Sequence, residues 1–204
     1  MSNIAGIVNY GTAGNIHSVS KALQKAGADV VLINKPEDFE RVPRIVLPGV
    51  GSFKEGMAEL ESDNFIESIQ GFEGPVLGIC LGMQILSSLG YEHGHTKGLN
   101  RLNAEVKPME CSGKVPHVGF NKIEVLKESL LLRGVENEMF YFMHSYEVVN
   151  YTNILALSEY AGHKFVSAVE QDNIFGVQFH PEKSREAGLT LFKNFLAIDK
   201  VQSK

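Results

Sequence analysis

Cys80 stands between two glycines at a point where a buried strand is predicted to end. The apolar run 75–79 leads into the pentapeptide GICLG, residues 78–82. Small neighbours tolerate the sharp backbone turn between a strand and a helix, and such a turn exposes the sulfur above the edge of a sheet. A helix predicted over 82–90 would direct its free N–H groups at the sulfur and favour the thiolate. The motif therefore predicts a nucleophilic cysteine.

A second motif, His180-Pro181-Glu182, follows another apolar run. Pro181 confines His180 to extended backbone, and residues two apart in an extended chain face the same way. We therefore expect the Glu182 carboxylate beside the imidazole, where it would set the tautomer and stabilise the imidazolium. Together with Cys80, the motif predicts a nucleophile, its base and the residue that orients the base.

The segment Pro48-Gly49-Val50-Gly51 ends another predicted strand. Pro-Gly is common in ordinary turns, so the segment alone indicates no more than a turn. Near a nucleophile, however, glycines let backbone N–H groups approach the oxyanion that forms during acyl transfer. We expect the N–H groups of Gly51 and Leu81 to be these donors.

Each motif also has a simpler structural explanation. A free cysteine often fills a core strand, and a lone histidine at a strand end is often structural. A core strand gains nothing from the glycines beside Cys80, which weaken it by about 0.5–1 kcal/mol each, and this favours the catalytic interpretation. Cys111 lies in a polar stretch without a glycine on each side, and we interpret it as incidental.

Motifs for cofactors are incomplete. The two glycines of the loop after the first strand do not form the three-glycine dinucleotide fingerprint, and the chain contains no Gly-Lys-Ser/Thr phosphate loop. His93 and His95 lie in a glycine-containing loop without a second cluster of ligands, which is typical of a solvated turn. We therefore expect neither a metal nor another cofactor.

The first half of the chain alternates predicted strands and helices. Strands are expected at 4–8, 29–33, 44–47 and 75–79, and helices at 15–25, 52–60 and 64–70. This order predicts an α/β fold with a doubly wound, mostly parallel sheet, whose ligands bind at the carboxyl ends of the strands. From about Glu105 onwards, short runs at 118–125, 140–149, 154–159, 165–170 and 174–179 predict an antiparallel extension. An amphipathic helix over 184–198 is expected to close the fold.

Length and composition narrow the possible functions. The 204 residues contain no repeat or linker, so we expect one domain over 1–204. A net charge of −5 provides no general attraction for nucleic acid. Two cysteines, no leader and no apolar run near the roughly 18 residues of a membrane span predict a cytoplasmic protein with reduced thiols and no membrane contact.

These motifs resemble those of the class I, or triad-type, glutamine amidotransferases, in which Gly-x-Cys-x-Gly and His-Pro-Glu carry the catalytic triad. The resemblance runs essentially from end to end, and it is greatest to the glutaminase subunits of imidazole glycerol phosphate synthases. The stretches that carry it are 48–51, 78–84, 116–121, 141–146 and 178–184. The resemblance implies a flavodoxin-like fold and a glutaminase with Cys80, His180 and Glu182 as its triad.

The resemblance also implies binding residues and a partner. It assigns glutamine binding to Gln84, His144, Ser145 and Tyr146, and partner contact to Asn15, Phe120, Asn121, Tyr141 and Lys183. The implied partner is a synthase (cyclase) subunit of barrel fold, bound as a heterodimer, which uses the ammonia to make imidazole glycerol phosphate and an aminoimidazole carboxamide ribotide in histidine biosynthesis.

Three other functions remain open at this point. One is a related glutaminase that feeds ammonia to a sugar amidotransferase of surface polysaccharide synthesis. The second is a stand-alone cysteine hydrolase such as a γ-glutamyl peptidase, and the third is a non-catalytic binding subunit. The chain departs from the family in three places: Thr12-Ala13 lengthens the first loop, Phe120 replaces a usual tryptophan, and Asn100 stands where a second glycine is usual.

Overall fold

The computed structural model describes residues 3–11 and 15–198, and fourteen strands lie within these ranges. In chain order the strands are β1 (Ile4–Val8), β2 (Asp29–Ile33), β3 (Ile45–Leu47), β4 (Val76–Ile79), β5 (Leu89–Gly90), β6 (Thr96–Lys97), β7 (Glu105–Pro108), β8 (His117–Lys122), β9 (Glu124–Val125), β10 (Met139–His144), β11 (Tyr146–Val149), β12 (Ile154–Tyr160), β13 (His163–Gln171) and β14 (Ile174–Val177). The α-helices are α1 (Ile16–Lys25), α2 (Phe53–Ser62), α3 (Ile66–Gln70), α4 (Leu81–Ile85) and α5 (Arg185–Ala197).

Eight strands form the central sheet, in the order β2-β1-β3-β4-β14-β13-β12-β9. The first five strands in this order, β2, β1, β3, β4 and β14, pair in parallel. The last three, β13, β12 and β9, continue the sheet with antiparallel pairing. The α/β fold with a mostly parallel sheet and an antiparallel extension is thereby confirmed. Strand β14 was expected within the antiparallel part. It does pair antiparallel with β13, but on its other side it pairs in parallel with β4, and all four of its residues are buried, as in a central strand.

Both faces of the central sheet are covered. Val19 and Leu23 of α1 share one apolar cluster with Leu191 and Phe195 of α5. The helices α2 and α4 contribute to a second cluster with the strand residues of the opposite face. This layering explains why β1, β3 and β4 are almost entirely buried and appear in the sequence as continuous apolar runs. Strand β2 lies at the edge of the sheet and is more exposed.

The helix predicted over 82–90 is shorter than expected and ends at Ile85. The carbonyls of Ile85 and Leu86 accept hydrogen bonds from the N–H groups of Leu99 and Arg101, respectively. These bonds to a distant loop replace the next helical turn, and the chain then enters β5. The glycine that the sequence suggests as a helix stop, Gly90, is instead a strand residue.

Two of the predicted strands are each divided in two. The run 118–125 forms β8 and β9, and the run 140–149 forms β10 and β11. Strand β10 pairs with β8 in a separate two-stranded sheet, whereas β11 pairs with β7 in a four-stranded sheet. Ser145 lies at the change of sheet, and its carbonyl accepts a hydrogen bond from the Met109 N–H.

One departure from the family pattern has a local explanation. Asn100 has a φ of 54°, a left-handed conformation that asparagine tolerates better than most residues, and its Oδ1 accepts a hydrogen bond from the Ser88 hydroxyl. Thr12 and Ala13 lie outside the described residues. No described helix is long and apolar enough to cross a membrane.

Candidate active site

Cys80 occupies the sharp turn between β4 and α4, with φ 52° and ψ −108°. This strained conformation is the one expected for a nucleophile between a strand and a helix. A Cβ atom on Gly82 would overlap the carbonyl oxygen of Leu47 at the end of β3, and one on Gly78 would lie 2.7 Å from the Gly82 backbone. The two glycines are therefore required by close backbone packing around Cys80.

His180 and Glu182 are buried together beside Cys80. The Nδ1–H of His180 donates to Glu182 Oε1 at 2.8 Å, and the Asn15 amide donates to the same oxygen at 2.6 Å. His180 is extended, as expected, but Pro181–Lys183 form a 3₁₀ turn. This turn, which the proline favours at its first position, brings the Glu182 carboxylate back to the imidazole, so the expected extended geometry is wrong at Glu182 although the contact forms.

The electrostatics of this pair favour charged groups. Burial acts against the imidazolium, yet Cys80 and Glu182 outweigh it and raise the pKa of His180. Burial also acts against the Glu182 carboxylate, but the hydrogen bond and charge of His180 lower the pKa of Glu182. Neutral His180 can take the proton of Cys80, and the resulting imidazolium, which Glu182 stabilises, is the form that can later return the proton.

The sulfur of Cys80 has protein contacts of two kinds. As a thiol, Cys80 donates to the carbonyl of Met143, at 3.8 Å between Sγ and oxygen. The Nε2 of Gln178 lies 3.5 Å from Sγ and donates to it. The Nε2 of His180 is buried and has no hydrogen-bond partner among residues 3–11 and 15–198, so it is free to exchange a proton with a reactant or with the thiol.

A cavity of about 230 Å³ opens beside Cys80. It is lined by Val50, Gly51, Cys80, Leu81, Gln84, Glu92, Pro116, Met143, His144, Ser145, Tyr146 and His180. Every residue that the sequence analysis assigns to catalysis, to the oxyanion or to glutamine, except Glu182, lines this one cavity. Glu182 lies behind His180, which is where an orienting residue belongs.

Among the residues predicted to bind glutamine, Gln84 and His144 have side chains that are hydrogen-bonded to other protein atoms. The Tyr146 carbonyl accepts from Gln84 Nε2 at 3.0 Å and from His144 Nδ1 at 2.9 Å. Nε2 of His144 lies 3.2 Å from Nδ1 of His117, so both ring nitrogens of His144 are engaged by protein atoms. Burial lowers the pKa of His144 to about 4. This neutral ring holds the 145–146 backbone in place and is a poor candidate for the catalytic base.

Sequence reasoning missed Glu92, which brings a carboxylate to the cavity wall. Its Oε2 accepts from the Phe53 N–H at 2.6 Å, and its charge adds to burial in raising the pKa of Tyr146. Glu92 follows a strand too short to be predicted, so its sequence neighbourhood contains no signal that it reaches Cys80. His117 lies within the stretch 116–121, but nothing in that stretch predicts its contact with His144, which depends on the pairing of β8 with β10.

The residues expected at a partner surface do not all lie together. Phe120 and Tyr141 are neighbours, with ring centroids 5.6 Å apart, and the Lys183 ammonium lies 5.5 Å from the Tyr141 ring centre. Asn121 points the other way, and its amide donates to the Glu159 carbonyl. Asn15 is only 4% exposed and its side chain is committed to Glu182, so the structure places it in the triad's support rather than on a surface.

Within the part of the chain that the structure describes, no group of three or more His, Cys, Asp and Glu side chains is arranged to hold a metal ion. His93 and His95 are exposed in a turn. Cys111 is half-buried, and its thiol contacts only the nearby Gly113 carbonyl, at 3.8 Å.

Comparisons with known proteins agree with this geometry. The family model described as glutamine amidotransferase class-I matches residues 7–198. Imidazole glycerol phosphate synthase subunit HisH 1 of Campylobacter jejuni (strain RM1221) is 42% identical over 199 residues, which cover 94% of this chain and 98% of that protein. Subunit HisH of Methanothermobacter thermautotrophicus is 40% identical over 194 residues, covering 94% and 97%. A chain of PurLQS from Thermotoga maritima has the same fold, with a TM-score of 0.70 at 18% identity, covering 96% of this chain and 98% of that one.

Proposed function

This chain belongs to the class-I glutamine amidotransferases, and we propose that it is the glutaminase subunit of an imidazole glycerol phosphate synthase. The observation that carries the proposal is the buried Cys80–His180–Glu182 arrangement at the wall of a small cavity, in a chain about 40% identical to two such subunits over most of its length. We place this function in one domain, residues 1–204, and in the cytoplasm.

The proposed reaction begins with transfer of the Cys80 proton to His180. The thiolate attacks the carboxamide carbon of glutamine, and the negative charge moves to the carboxamide oxygen, near the N–H groups of Gly51 and Leu81. His180 then protonates the amide nitrogen, the C–N bond breaks, and ammonia leaves a glutamyl thioester on Cys80. Water, deprotonated by His180, hydrolyses the thioester to glutamate and restores the thiol.

Substrate recognition follows from the charges at the cavity wall. The Glu92 carboxylate is suited to the α-ammonium group of glutamine, which is the positive end of this substrate. Gln84 already donates from Nε2 to the Tyr146 carbonyl and to Gln178 Oε1, and its own Oε1 accepts no hydrogen bond from residues 3–11 or 15–198. Gln84 therefore contributes an acceptor to the same end of the substrate.

The two-stranded β8–β10 sheet is suited to bind the synthase partner. Its outward side chains include Val118, Phe120, Met139 and Met143, which are 54%, 40%, 44% and 37% exposed. A contiguous exposed apolar surface with a cation at its edge is typical of a protein interface. Met143 also accepts the Cys80 thiol hydrogen bond through its carbonyl, so this surface lies directly behind the nucleophile. We propose a heterodimer with a barrel-shaped cyclase subunit at this surface.

The test is ammonia release from glutamine by the purified chain alone, by the chain with its synthase subunit, and by the complex with the acceptor substrate. We expect the chain alone to be nearly inactive and the loaded complex to be about 100-fold faster, which corresponds to about 2.7 kcal/mol of coupling. Equal rates in all three samples would contradict the proposal and favour a stand-alone cysteine hydrolase.

A pair of matched variants tests the surface. Phe120→Asp places a charge on the proposed interface, and Leu126→Asp places the same charge on a similarly exposed leucine outside it. We expect only the first to weaken binding of the synthase subunit. Activation by a sugar amidotransferase instead of a cyclase would assign the chain to the polysaccharide pathway.

A further inference from the structure

We propose that Gln178 is a further catalytic residue, whose side-chain amide donates a hydrogen bond to the sulfur of Cys80 and stabilises its thiolate. The inference rests on the proposed glutaminase function and adds a residue to its machinery. Gln178 Nε2 lies 3.5 Å from Cys80 Sγ, and the side chain is completely buried.

The orientation of the Gln178 amide follows from the groups around it. The Tyr146 carbonyl can only accept, so Gln84 must present its Nε2 there, and the same Nε2 reaches Gln178 Oε1 at 3.0 Å. Because Gln178 accepts from Gln84 through oxygen, its NH₂ group is directed at Cys80. The chain of donors therefore determines which end of the amide meets the sulfur.

The backbone around Gln178 is anchored as well. Its N–H donates to the Ser167 carbonyl of β13, at 2.9 Å, immediately after the end of β14. His144, itself held by His117, supports the same Tyr146 carbonyl that orients Gln84. Gln84 and His144 are thus positioning residues, because they act on the sulfur only through Gln178.

A neutral donor at this place has a definite chemical effect. A hydrogen bond to an ionised group is stronger than one to a neutral group, so the amide stabilises the thiolate more than the thiol. Because Gln178 carries no charge, it leaves the His180 proton available for the leaving ammonia. The thiolate exists twice in the cycle, before attack and when the thioester C–S bond breaks, and Gln178 stabilises both states.

A purely structural role is the competing explanation, in which Gln178 serves only to pair with Gln84. The two explanations differ in the reactivity of Cys80 without substrate. A catalytic hydrogen bond changes the fraction of thiolate at a given pH, whereas a structural one changes only stability.

The experiment is alkylation of Cys80 by iodoacetamide across a range of pH, with Cys111 as the reference in the same molecule. In Gln178→Met, which keeps the length of the side chain and removes the donor, we expect the midpoint for Cys80 to move about one pH unit higher. The rate at pH 7 should fall roughly 10-fold. The matched control, Gln171→Met, removes a half-buried amide far from the sulfur and should leave the profile unchanged.

Gln178→Glu is the second variant, and it tests the proposed hydrogen bond if Gln178→Met is unstable. It keeps the shape but puts an anion beside the sulfur, so we expect a larger upward shift. An unchanged Cys80 profile in either folded variant would overturn the proposal. Because alkylation needs neither glutamine nor a partner, such a failure would leave the ammonia-release test of the proposed function unaffected.

Discussion

Two neighbouring strand ends form opposite sides of the active site, and they differ in how firmly they are held. At the end of β4, Cys80 is fixed by backbone packing, since Gly82 lies against the Leu47 carbonyl. At the end of β3, the first residue is also held, because the Tyr10 hydroxyl donates to the Pro48 carbonyl at 2.5 Å. Gly51, three residues later, is exposed, has a φ of 113°, and has open space where a Cβ would stand.

The difference indicates that the two strand ends have different roles in the proposed reaction. The nucleophile requires one exact direction of attack, and its turn leaves no room for another. The proposed oxyanion donor, the Gly51 N–H, lies on exposed backbone, and no atom stands within 4 Å of the place where a Cβ would be. A site of this kind can hold its triad ready and still depend on the orientation of Gly51 for activity.

The largest effect is expected at the fixed strand end. Cys80→Ser should lower glutamine hydrolysis by on the order of 10⁴-fold or more while the fold is retained, because a hydroxyl is a much poorer nucleophile at a site adapted to a thiolate. Ammonia release by the activated complex, with circular dichroism as a folding control, measures this. Substantial activity in the folded variant would contradict the triad assignment.

Substitutions of the base and of its orienting residue should lower activity to different extents. His180→Ala should lower kcat about as much as loss of the thiol does. Glu182→Gln should keep a kcat on the order of 10-fold or more above that of His180→Ala, since Asn15 still supports the side chain. The kcat of both variants in the activated complex is the measurement. Equally small losses of kcat in both variants would mean that another histidine is the base. His144 would be a poor choice, because burial lowers its pKa to about 4.

A pair of alanine variants compares the two strand ends directly. Gly82→Ala should destabilise the chain by about 1–3 kcal/mol or more, because the methyl group overlaps the Leu47 backbone. Gly51→Ala meets no atom, so its stability cost is limited to roughly 1–2 kcal/mol of backbone strain, and its main effect should be on the oxyanion. Thermal unfolding and kcat of each variant would show the contrast. A larger loss of stability at Gly51 would reverse it.

The smallest effect is expected at the substrate's charged end. Glu92→Gln removes a charge from the cavity wall but keeps the hydrogen-bonding shape, so the KM for glutamine should rise about 10-fold with a smaller change in kcat. Steady-state kinetics of the activated complex provide the measurement. An unchanged KM would place the α-ammonium group elsewhere.

Local sequence signals predicted the fixed strand end well. The glycines around Cys80, the apolar run before it and the His-Pro-Glu motif are short-range features. The glycines and the apolar run have the positions that their patterns indicate, and the predicted contact of Glu182 with His180 forms, although through a 3₁₀ turn and not through extended backbone. Glu92, His117 and the contact of Asn15 with Glu182 depend on which strands and loops meet in space, so no local pattern predicts them. The premature end of α4 at Ile85 has the same cause, because hydrogen bonds to the loop at 99–102 outweigh the helical pattern.

The most direct test of the central claim is the identity of the atom that glutamine modifies. A reactive glutamine analogue should label the complex in the presence of its acceptor substrate, and peptide mass spectrometry should locate the label on Cys80 while Cys111 stays unmodified. Excess glutamine should protect Cys80, and His180→Ala should label far more slowly. A label on Cys111, or labelling of both cysteines at equal rates without protection by glutamine, would contradict the account.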